Sequence, residues 1–137
     1  IVRTRSNARG EAVYLYRLQM SQANVRALFL EYLHAANELR RTPRFYNTLT
    51  SNCTTIVFEL ARFIAPALPA DYRLLLSGHF AEYIHDLHGL TPGHRYAELQ
   101  ALGHINERAL ASDASGDDFS MSIRQGVPGV PADEVSP

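Results

Sequence analysis

Between residues 22 and 40, apolar side chains recur at Val25, Leu28, Phe29, Tyr32, Leu33, Ala36 and Leu39. This i, i+3, i+4, i+7 rhythm is one face of an amphipathic helix and the clearest periodic signal in the chain. Ser21 stands ahead of it as an N-cap, and Pro43 ends it by disfavouring helical geometry at Thr42. A second helix is predicted from about Asn52 to Ile64. Ile56, Leu60, Phe63 and Ile64 share a face with Val57 beside them, and Pro66 is the stop. Pro69 suits the first turn of a short third helix through Leu76, with Gly78 near its end. Phe80, Tyr83, Ile84 and Leu87 mark another amphipathic stretch, closed by Gly89. A last helical stretch runs from about Tyr96 to Ala111, interrupted at Gly103.

The pattern differs at both ends. Residues 1–5 and 12–18 are short and β-prone, and Val13-Tyr14-Leu15-Tyr16 is apolar on both faces. The turn chemistry of residues 6–10 joins them into a predicted hairpin, which is marginal alone and calls for a further partner. Residues 45–50 read as an extended or irregular link. From Ser112 onward the chain is polar and rich in Gly and Pro, except that Phe119, Met121 and Ile123 alternate as an extended segment laid on the core would. The expected fold class is α+β and helix-dominated. Residues 1–131 are expected to form a single domain fragment, with strands in 1–18, helices in 21–111 and an extended tail in 112–131. Residues 132–137 are expected to be disordered.

Composition narrows the function classes. The chain has 137 residues, 46% of them hydrophobic, enough for one core. Its formal net charge is -1, which provides no field for nucleic acid or anionic lipid. All 13 basic residues are Arg. The longest apolar runs fall far short of the roughly 20 residues that cross a bilayer. The chain opens Ile1-Val2-Arg3 without Met or a charged-then-apolar leader, so the amino end reads as cut, and any signal peptide or anchor would lie upstream. A single Cys excludes an intrachain disulfide framework and a Cys-rich zinc site.

That Cys is the main chemical candidate. In Tyr46-Asn47-Thr48-Leu49-Thr50-Ser51-Asn52-Cys53-Thr54-Thr55, turn chemistry passes into a helix and Cys53 sits at the junction. First-turn amides have no intrahelical acceptor, and the helix dipole is positive there. Both favour thiolate, and the same amides can donate to an oxyanion formed beside the sulfur. Asn52 or Ser51 can cap, and Asn52 can add a side-chain donor. The competing reading is that a free Cys is a small hydrophobe buried for packing.

Residues 13–129 resemble the later part of the Lnb-type N-terminal periplasmic domain family of the bacterial envelope. The resemblance rests on Val13-Tyr14-Leu15-Tyr16, on the stretch from Tyr46 to Thr55, and on Leu68-Pro69-Ala70-Asp71-Tyr72-Arg73-Leu74-Leu75-Leu76-Ser77-Gly78. It continues in His104-Ile105-Asn106-Glu107-Arg108-Ala109 and in Phe119-Ser120 through Ile123-Arg124 to Pro128. Asn-Cys-Thr-Thr is its most specific element. The resemblance implies a periplasmic location and a circularly permuted papain-like fold, in which a histidine strand precedes the cysteine helix. Its named member is a lipoprotein N-acyltransferase, so it implies acyl transfer through a thioester, by an acyltransferase or amidase. Cys53 matches the nucleophile, with Asn52 and Thr54 as supporting or oxyanion residues. The implied histidine falls before Ile1. The implied partners are a lipoprotein or phospholipid acyl substrate, with no nucleic acid, no cofactor and membrane proximity only through segments outside this chain.

Among the six histidines, His79 follows Gly78 at a helix junction and is the substitute base within the chain. His34 reads as structural or solvated. His85 and His88, with His79 and His94, form a loose group that matches no strong zinc spacing, so no metal is expected. Arg73, Arg108 and Arg124 read as ordinary ion-pair partners for Asp71, Glu82 or Glu107. Three functions follow: an enzyme acting through Cys53, a non-catalytic envelope interaction module with a buried structural Cys53, and, more weakly, a His-rich metal domain.

Overall fold

A computed structural model describes residues 1–43, 45, 53–116 and 118–131, and for Cys53 and Ser77 the backbone alone. The chain divides into two compact units: Met20–Leu87, and Ile1–Gln19 together with His88–Pro137. The predicted disorder of residues 132–137 and the predicted link at 46–50 lie outside the described residues.

In the unit Met20–Leu87, helix α1 spans Gln22–Arg41. The Ser21 side chain caps it by accepting from the Asn24 amide at 3.2 Å. Arg40 and Arg41 occupy its last turn, where the dipole favours cations. Helix α2 spans Cys53–Ile64 and packs against α1. The faces are unequal. Ala27, Leu28, Glu31 and Ala35 are half-buried, while the rest of the apolar row seen in the sequence is exposed, Phe29 to 60%. Leu60 of α2 is buried.

Past Pro66 the sequence predicts a third helix, but the chain makes only a 3₁₀ turn at Tyr72–Leu74. Asp71 caps it by accepting from the Arg73 amide at 2.9 Å. A second 3₁₀ turn, Ser77–His79, leads into helix α3, Phe80–Asp86. Tyr83 and Leu74 are buried, and the Tyr83 hydroxyl donates to the Pro69 carbonyl at 2.7 Å.

In the other unit, helix α4 spans Tyr96–Gly103, α5 spans Asn106–Ser115 and α6 is the single turn Phe119–Ser122. A capping box between Arg95 and Glu98 starts α4, and left-handed Gly116 at φ 77° closes α5. Ile105, Ala109 and Ile123 form the core, packed by Val2, Val13, Leu15 and Phe119. Asp118 caps α6 by accepting from the Met121 amide. Residues 119–122 are therefore helical rather than extended, and the core takes Phe119 and Ile123 at i, i+4 spacing.

The α+β reading is overturned. Among the described residues there is no strand, sheet or hairpin, and the molecule is helix-rich. Residues 2–8 are helical, with a π-helical stretch at Thr4–Ala8. Distant contacts decide this conformation. Arg3 pairs with Asp113 at 2.7 Å, and the Asn7 side chain donates to the Ala109 carbonyl at 3.0 Å. Residues 13–19 lie outside any helix and, among the described residues, pair with neither residues 1–5 nor a second strand. Single antiparallel bridges join Tyr14 to His104 and Leu18 to Leu90. β-propensity describes fit to a partner, and tertiary context outweighs it here. The papain-like layout expected alongside the hairpin falls with it. No helix among the described residues is long and apolar enough to cross a membrane.

Candidate functional site

Cys53 is the first residue of α2. The first turn of this 12-residue helix carries no acidic side chain, and Arg62 lies in its last turn. No carboxylate on the first turn therefore offsets the positive end of the dipole at Cys53. Thr54 follows and is buried, 5% exposed. Asn52 and Ser51, the proposed cap and donor, lie outside the described residues. At the far end of α2, Glu59, Arg62, Phe63 and Pro66 line an open concavity of about 300 Å³. It is a solvent-facing hollow, separated from Cys53 by most of the helix.

His79 ends the 3₁₀ turn before α3. Its Nδ1 lies 3.3 Å from Glu82 Oε2, with more than half of the side chain exposed. The other histidines also meet neighbours close in sequence or aromatic rings. His34 sits 3.5 Å from Glu31, His85 3.6 Å from Asp86 and His94 3.8 Å from Glu98. His104 packs on Tyr14 with ring centroids 5.1 Å apart, and His88 holds a left-handed turn position at φ 56°. Among the described residues no three His, Cys, Asp or Glu side chains converge to hold a metal ion.

The arginines take more varied roles than their spacing suggests. Arg73 pairs with Asp71 at 2.8 Å and Asp86 at 2.6 Å, and its guanidinium lies 5.4 Å from the Tyr83 ring centre. Hydrogen bonds from Arg73 hold both carboxyls below the usual carboxylate range. The Asp71 partner is local and readable, since Asp71 is also the cap. Asp86 stands 13 residues away and leaves no sequence signal. Arg108 donates to the Leu102 and His104 carbonyls, securing the end of α4, and burial lowers its pKa. Arg124 bonds to Ser120. Asn106 is a tether that the sequence reading missed. Its side chain accepts from the Val13 amide at 2.9 Å and donates to the Glu11 carbonyl at 2.8 Å.

A family model described as Lnb N-terminal periplasmic domain matches residues 1–78, more than half of the chain and the part that holds Asn52, Cys53 and Thr54. No curated protein and no solved structure matches the chain.

Proposed function

The chain belongs to the Lnb N-terminal periplasmic domain family, and from that premise we propose that this periplasmic protein supplies the nucleophile of a cysteine-dependent acyl transfer. The observation that carries the reading is the position of Cys53 at the start of α2, on a first turn without acidic side chains. A thiolate there attacks an ester carbonyl, and the positive end of the α2 dipole stabilises the oxyanion that forms. Collapse expels the alcohol, which takes up a proton, and leaves a thioester on Cys53. An amine then attacks the thioester, loses its proton and departs as the amide, and the thiolate is restored. A phospholipid ester as donor and a lipoprotein amine as acceptor fit this sequence of steps.

The test uses a short-chain p-nitrophenyl ester and intact-mass measurement. One acyl group per chain should appear on Cys53, labile to neutral hydroxylamine as a thioester is, and Cys53→Ala should not acquire it. An adduct that persists in Cys53→Ala, or no adduct on the folded protein, overturns the proposal.

A further inference from the structure

Helix α1 carries an apolar stripe besides the one that is half-buried. Val25, Phe29, Tyr32, Ala36 and Leu39 alternate steps of four and three residues, and all five are exposed. The half-buried Ala27, Glu31 and Ala35 fall at plain steps of four, on a different stripe. Alternating steps of four and three keep a stripe in register with a neighbouring helix. One border of the exposed stripe is charged. Arg26 and Arg40 stand there two heptads apart, with Leu33 between them. Both arginines are exposed, and among the described residues no carboxylate pairs with either. The carboxylates of α1, Glu31 and Glu38, fall on the opposite side of the helix at 3.6 residues per turn.

We propose that this stripe docks a helix of a separate protein, one that presents an apolar seam bordered by Asp or Glu. The spacing specifies a helix, and the two arginines specify the sign of its border. A second copy is a poor match. Antiparallel pairing along the stripe sets Arg26 and Arg40 against each other, and parallel pairing sets them opposite Ser21 and Ala35, which carry no charge. The chain's own helices are short for the stripe. It runs over 15 residues from Val25 to Leu39, whereas α2 has 12 and already packs on α1, and α5 has 10. A bilayer would favour a broad apolar face over a narrow stripe with arginines on its border. The inference is independent of the chemistry at Cys53.

The probe is a capped peptide of three Glu-Ile-Ala-Ala-Leu-Glu-Gln repeats, labelled and titrated with the intact chain by fluorescence anisotropy. The proposal predicts saturable binding at roughly submillimolar Kd. The same peptide with Lys in place of every Glu should bind about tenfold or more weakly, because it meets Arg26 and Arg40 with like charge. Arg26→Glu combined with Arg40→Glu should invert that preference, and Phe29→Ser should weaken both peptides. These exposed substitutions leave the fold in place, which circular dichroism checks. No saturation, equal binding of the two peptides, or a preference that survives the charge reversal overturns the proposal. So does dimerisation of the native chain that Phe29→Ser abolishes, which assigns the stripe to a second copy. Phosphatidylglycerol vesicles that bind through Phe29 would overturn it in favour of a bilayer. Phe29 and Leu39 signals shielded from a soluble paramagnetic probe in the peptide-free monomer would assign the stripe to the chain itself.

Discussion

Asp86 shows what a single residue contributes without a signal in the sequence. It completes the clamp on Arg73 from α3, and the two carboxyls of that clamp titrate below their usual range because Arg73 bonds their charged forms. Depressed folded-state values contribute stability that is present above the unfolded carboxylate pKa, near ~3.9, and lost as pH falls through the folded value. Urea midpoints measured from pH 6 down to pH 2 should therefore fall along an acid limb in the native chain. Asp86→Asn should be less stable at pH 6 and show a shallower limb; an unchanged limb would remove Asp86 from the account. Cys53 contrasts with Asp86. Its place at the start of a helix was readable because Asn, Ser and Thr precede an apolar 3.6-residue rhythm, all within a dozen positions of SNCTTIVFEL. The Arg73 partner at Asp86 depends on how the chain returns on itself, which local spacing does not encode.

At the scale of elements, helices with local punctuation were legible and elements set by distant contacts were not. Ser21 and Pro43 bound α1, and Pro66 follows the end of α2. Residues 1–8 were misread as strand and turn because the contacts that hold them helical, Asp113 and the Ala109 carbonyl, lie about a hundred positions away. Gly103 was noticed as an interruption, and its physical reason is a close approach. A Cβ there would sit 2.6 Å from the Leu15 carbonyl oxygen, a backbone atom with little room to move. Gly103→Ala should cost about 1–3 kcal/mol, the usual range for forced overpacking. The loss should appear in urea unfolding as a lower midpoint at an unchanged slope. Ser21→Ala should cost about 1 kcal/mol through loss of the α1 cap. Circular dichroism melts would check that value, and an unaltered melt would contradict the capping geometry.

At the scale of the whole molecule, the chain divides into two compact units, and the hairpin expected at residues 1–18 is absent among the described residues. Local patterning assigned helices to both units but could not show how residues 1–19 join residues from 88 onward. That connection runs through Asn106, Gly103 and Gly89, each of which meets residues 13–19 by backbone or amide contacts. Family membership gives the periplasmic setting, and the start of α2 gives the chemistry proposed for it. The central claim is that folding, rather than the thiol alone, makes Cys53 a nucleophile. It is tested most directly by iodoacetamide alkylation of Cys53 from pH 5 to pH 9, in the folded chain and again in urea. The account predicts faster alkylation of the folded chain below pH 7, with an inflection below the free-thiol value of about 8.5 that returns to that value on unfolding. Alkylation slower in the folded chain at every pH would show a Cys buried for packing and contradict the account.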